Sequence, residues 1–175
     1  MSGPAEARFA RFAWGTLGYN LLVVLWGAFV RATGSGAGCG KHWPLCDGEV
    51  IPRAASTEKW IEFTHRLTSG IALLLTVVLV IWACRCFQRG SRVRKSAWLA
   101  LAFMISEALL GAGLVIFGLV EDNASVARAV VISAHLINTL ALLGFMGLSA
   151  WWATRPGRLQ LRQPAARWLG LSLVG

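Results

Sequence analysis

"WIEFTHRLTSGIALLLTVVLVIWAC", residues 60–84, decides the fold. From Ile61 to Cys84 it is mostly apolar and longer than the ~17 residues a helix needs to cross a hydrocarbon core. Yet its first turns carry Glu62, His65 and Arg66. Ionisable groups inside a membrane helix are costly to desolvate, which makes them functional candidates from the outset.

Three further runs have the same character: Phe12–Val30, Ala97–Val120 and Val126–Ala153. The chain has 175 residues, is 56% hydrophobic and only 14% charged, too apolar for an ordinary soluble domain. The pattern predicts an all-α, polytopic membrane protein: an antiparallel four-helix transmembrane bundle over residues 1–155, with a long loop at 31–59. Phe12–Val30 exceeds the ~7–15-residue apolar core of a signal peptide, so it reads as a retained helix. Residues 156–175 read as a cytoplasmic linker followed by the start of a fifth helix. Trp168–Gly175 would rise only about 12 Å as a helix, so the chain reads as a fragment of a longer protein.

The formal charge of +9 is a matter of topology. Arg8 and Arg11 precede the first run, Arg85, Arg89, Arg92, Arg94 and Lys95 separate the second from the third, and Arg155, Arg158, Arg162 and Arg167 follow the fourth. These segments hold eleven of the seventeen basic residues; Arg31, Lys41, Arg53, Lys59 and Arg128 lie in the alternate loops. Basic residues concentrate on the cytoplasmic side. The N-terminus is therefore expected inside, residues 31–59 and 121–125 outside, and nucleic acid is not an expected partner. Trp14, Trp60, Trp82, Trp98, Trp151 and Trp152 fall near run ends, as in an interfacial aromatic belt or in packing between helices.

The long loop, "RATGSGAGCGKHWPLCDGEVIPRAASTEK", contains Cys39 and Cys46. On the outer side a disulfide between them is the first reading, because disulfides persist in oxidising compartments. A metal site of Cys39, His42 and Cys46 is the rival, one ligand short of a typical structural zinc centre. Cys84 and Cys86, at the inner end of the second run, are expected to stay reduced.

Glu62, His65 and Arg66 share one helix face. One reading pairs Glu62 with Arg66 and gives His65 a hydrogen bond to a neighbouring helix. The other includes His135, in "VISAHLINT" of the fourth run. His65 and His135 lie roughly 8 and 13 Å below the outer ends of their runs. Two histidines at similar depth on facing helices can ligate one haem iron from opposite sides. Arg66 is then a candidate partner for a haem propionate. Glu107, in "ISEALLGAGLV", is a further buried carboxylate with either a structural or a proton-handling role, and Gly111 and Gly113 nearby permit close helix packing. Glu121 and Asp122 are expected to solvate the short outer turn.

Taken together these motifs resemble the haem A synthase family. "GAFVRATGSGAGCGKHWPLCDGEVIP" is similar to its first outer loop, "WIEFTHRLTSG" to its helix-two motif and "EALLGAGLVIFG" to its helix-three motif; the helix-four histidine also falls in place. The resemblance implies an oxidoreductase of the bacterial inner membrane that converts the C8 methyl group of haem O to the formyl group of haem A for cytochrome oxidase. It implies that His65 and His135 are the axial haem ligands, that Glu62 is the catalytic carboxylate and that Cys39 and Cys46 form a disulfide. The cofactor would be haem: haem O as substrate and haem A as product, or haem B. Partners would be haem O, the lipid bilayer, haem O synthase and cytochrome oxidase assembly factors; a homo-oligomer is compatible. Typical members have eight helices in two halves, each with a histidine pair, and this chain resembles the N-terminal half. Glu107 stands where many relatives have glutamine. Two other classes fit the composition: a bis-histidine b-type cytochrome that relays electrons without altering its haem, and a structural membrane subunit without cofactor.

Overall fold

The computed structural model describes residues 3–53, 56–120 and 123–155. Glu121, Asp122 and the expected linker and fifth-helix start at 156–175 lie outside the described residues. Four helices dominate: α1 (Pro4–Ala32), α2 (Thr57–Cys86), α3 (Arg92–Ile116) and α4 (Val126–Thr154), with a short 3-10 turn at Ser35–Ala37. All four are long and apolar enough to cross a membrane. Large apolar side chains such as Leu22, Leu25, Leu74, Leu109, Ile137 and Leu140 are more than 60% exposed on the bundle surface. Water would penalise so much exposed apolar surface, whereas lipid accepts it. The chain is a polytopic helical membrane protein.

Local sequence sets the helix ends. Ser56, Ser91 and Ser125 each precede a helix, and each side chain accepts the backbone N–H three residues on, at Lys59, Arg94 and Arg128. Such N-caps satisfy one of the donors a helix start leaves free. α1 begins at Pro4, eight residues before the apolar run. Proline is pre-set for a first helical position, and Glu6 accepts the Gly3 N–H at 3.1 Å. α3 likewise starts in the basic stretch at Arg92, but it stops at Ile116 rather than Val120. Gly118, at φ +62°, donates to Val115 O, and Leu119 donates to Leu114 O at 2.8 Å. This paired closure on a left-handed glycine is a Schellman turn, which ends the helix while the sequence is still apolar.

The helices form a ring in which each packs on the next and α4 closes onto α1. α2 and α4 therefore face each other across a diagonal. Phe9, Ala10 and Ala13 of α1 pack with Leu79, Val80 and Ala83 of α2, Val93 and Ala97 of α3, and Ala150 and Ala153 of α4. The start of α1 and α3 thus meets the end of α2 and α4, so neighbours are antiparallel. Six of those ten residues are alanine, and small side chains let membrane helices approach closely. A second cluster, Ala72, Ala100, Met104, Leu142 and Met146, continues the apolar core. Beyond it, towards the α1–α2 loop, the interior turns polar.

Candidate functional site

The polar end begins at Glu62, on the second turn of α2 and 3% exposed. Its Oε1 accepts from Arg66 Nε at 3.0 Å and also from Nη2. Its Oε2 accepts the Cys39 backbone N–H at 2.7 Å. Arg66 Nη1 in turn donates to the carbonyls of His42 and Leu45. One carboxylate and one guanidinium thus join α2 to the loop at three backbone groups, all within or bounding 39–46. The loop is closed there by a Cys39–Cys46 disulfide with Cα atoms 4.4 Å apart. Both sulfurs are used in that bond, and among the described residues no group of three or more His, Cys, Asp or Glu could hold a bare metal ion. The loop also presses on the start of α2: a Cβ at Gly38 would come within 2.7 Å of the Glu58 carbonyl. Cys84 and Cys86 are free thiols.

One turn deeper is a layer shared by three helices. His65 and His135 lie about 12 and 13 Å from the starts of α2 and α4, and Glu107 lies about 13 Å from the end of α3. α3 runs antiparallel to its neighbours α2 and α4, so all three residues reach the same level. Within that layer His135 Nδ1 lies 3.3 Å from Glu107 Oε1. Gly27 of α1 makes room for the His65 ring: a Cβ there would fall 2.9 Å from Cε1 and 3.2 Å from Nε2. Gly111 lies beside His135 without crowding it: a Cβ there would make ordinary contact, 3.8 Å from Cε1.

Glu107 is surrounded by donors. Asn138 Nδ2 reaches its Oε2 at 2.6 Å. Thr139 shares one hydroxyl proton between Glu107 Oε1 and the His135 carbonyl. Asn138 is itself fixed by the Phe103 carbonyl at 2.9 Å and by Ser106 Oγ at 2.5 Å. Asn138 and Thr139 escaped the sequence reading. Their signal was spacing: 135, 138 and 139 recur at one helix face, and three polar residues on one face of an apolar span indicate an internal surface.

Both imidazole Nδ1 atoms are buried without a hydrogen bond. A buried donor or acceptor left unpaired costs ~1–3 kcal/mol, so an orphaned pair on diagonal helices calls for an account. Two imidazoles could serve a porphyrin iron, and Gly27 leaves space for the His65 ring. The donor set fits a haem.

The family model described as "Cytochrome oxidase assembly protein" (COX15-CtaA) matches residues 10–175. A Thermus thermophilus protein named protoheme IX farnesyltransferase is 56% identical over 173 residues, covering 99% of this chain but 28% of that protein. Heme A synthases of Halalkalibacterium halodurans and Alkalihalophilus pseudofirmus are 42% and 41% identical over 123 residues, covering 70% of this chain and 41% of each relative. The chain thus spans less than half the length of these relatives. No solved structure gives a significant match.

Proposed function

The chain belongs to the haem A synthase family of cytochrome oxidase assembly proteins, and on that premise we propose that it forms the haem-holding part of a membrane oxidoreductase that oxidises the C8 methyl group of haem O to the formyl group of haem A. The observation that carries this reading is the pair of orphaned histidines on α2 and α4 with a buried carboxylate one turn from the first. The relative named protoheme IX farnesyltransferase supports a farnesylated haem as substrate, and the enzyme making it as a partner.

In this reading His65 and His135 would hold the haem iron. When bound, the haem supplies the redox chemistry. Glu62 is the catalytic carboxylate: it accepts a proton as the methyl group is oxidised, or balances positive charge at the porphyrin rim. Arg66 and the Cys39 amide keep its two oxygens aimed. Arg66 would also offer a cation to a propionate, and serving that role requires releasing one of its present contacts. The concentration of arginines at the α2–α3 end favours a cytoplasmic N-terminus with the 33–56 loop on the far side.

The test is Glu62→Gln in the complete protein, reading both bound pigment and product. Retained haem with turnover down by ~10²–10⁴ fits a general acid–base role. Conversion at the normal rate refutes the catalytic assignment. Extractable haem B alone from the unaltered protein would instead identify an electron relay.

A further inference from the structure

Glu107 is the one acid in the described membrane layer that the proposed chemistry does not use, and both of its oxygens are held. Its Oε1 lies 3.3 Å from His135 Nδ1. That distance is within reach of a hydrogen bond, but the direction is off, so Nδ1 remains formally unpartnered. The imidazole χ2 torsion has a broad energy well, so a modest ring turn closes the bond. Glu107 itself has little freedom to move: Asn138 and Thr139 hold its two oxygens, and Asn138 is anchored by Ser106 and the Phe103 carbonyl. Those donors come from the helix that carries His135, while Glu107 and Ser106 come from α3, the partner with the most extensive packing on α4. The carboxylate is therefore aimed at one histidine by a bonded network spanning two helices.

From this arrangement we infer that Glu107 is a positioning residue for His135: it accepts the Nδ1 proton, fixes that tautomer and leaves Nε2 free to serve as ligand. A carboxylate behind a metal-bound imidazole orients the ring and raises its basicity. A more basic axial ligand favours the oxidised metal and lowers the reduction potential. His65 lacks an equivalent among the described residues: Glu107 stands 3.3 Å from His135 Nδ1, whereas no carboxylate pairs with His65, whose ring edge abuts Gly27. The two proposed ligands are therefore unequal, and the α4 side carries the tuning.

This inference rests on the ligand assignment above, so its test separates the two. The haem-loaded full chain is titrated by spectroelectrochemistry as the unaltered protein, Glu107→Gln and His135→Ala. Loss of the six-coordinate low-spin spectrum in His135→Ala upholds the ligand assignment; its survival refutes that assignment and this inference with it. With the ligand upheld, Glu107→Gln keeps the low-spin spectrum and haem content. It also raises the potential by about the equivalent of a tenfold change in the reduced-to-oxidised ratio, ~59 mV for one electron. An unchanged potential overturns the inference. Should Glu107→Gln fail to retain haem, nitrogen NMR of His135 in the haem-free unaltered protein decides. A proton on Nδ1 supports the assignment, and a proton on Nε2 overturns it.

Discussion

The Cys39 amide donates to Glu62 Oε2 at 2.7 Å across 23 residues of sequence, so a disulfide-bonded loop holds one oxygen of the proposed catalytic carboxylate. Arg66 holds the other oxygen and grips two carbonyls of the same loop. Replacing both cysteines with serine keeps that backbone N–H but frees the loop that aims it, weakening a hydrogen bond to a charged group worth ~1.5–3 kcal/mol. The expected result is a roughly ten- to hundredfold fall in haem A formation with haem content unchanged. Measuring product per bound haem checks this, and an undiminished rate would show that the loop is dispensable for aiming Glu62.

Gly27 gives a second prediction. Alanine there puts a methyl group 2.9 Å from His65 Cε1, closer than carbon atoms tolerate. The ring must turn, and overpacking of this kind costs ~1–3 kcal/mol. Gly27→Ala should weaken haem retention by roughly ten- to hundredfold, read as the ratio of haem absorbance to protein through purification. Gly18, which has open space beside it, is the control: Gly18→Ala should leave the ratio alone.

A third prediction concerns the α3–α4 pair. Asn138 satisfies Glu107, Ser106 and the Phe103 carbonyl at 8% exposure. Asn138→Leu fills similar space but leaves those groups with fewer partners, a loss of ~1–3 kcal/mol. Thermal unfolding in detergent should shift down accordingly. Asn138→Asp puts a second carboxylate beside Glu107 and should be worse still.

The loop also has a pH dependence of definite sign. Lys59, on the first turns of α2, bonds the Asp47 carboxylate and holds its pKa below the ordinary 3.8. A depressed carboxyl pKa stabilises the fold above the unfolded value, and the contribution is lost as pH falls through the folded value. The clasp should therefore persist through neutral and mildly acid solution and open only below about pH 3.8. Hydrogen exchange across residues 39–47 should rise there, and Lys59→Met should abolish the step.

The four spans were legible because length and apolarity are additive along a chain. Their ends were less so. α1 reaches back through Arg8 and Arg11 to Pro4, since a helix continues beyond the lipid wherever capping permits. α3 stops short of Val120 because Gly118 takes a left-handed turn that no apolar count registers. Within the site, Glu62, His65, Arg66 and His135 stood out as ionisable residues in apolar surroundings. The pairing of Arg66 with Glu62 was one of the two readings, and spacing alone sufficed to suggest it. The hold of Arg66 on His42 and Leu45 was hidden, because those partners are backbone carbonyls and side-chain identity does not encode them. Gly27 was missed for a related reason: its contribution is an absent atom.

The close seating of Gly38 on the Glu58 carbonyl limits how this protein can be re-engineered. Grafting a foreign segment between α1 and α2 changes which amide and carbonyls meet α2, and any side chain at position 38 lifts the graft off its seat. A designer building chimaeras from two family members should therefore place the crossover after Arg66, so that segment and carboxylate travel from the same parent.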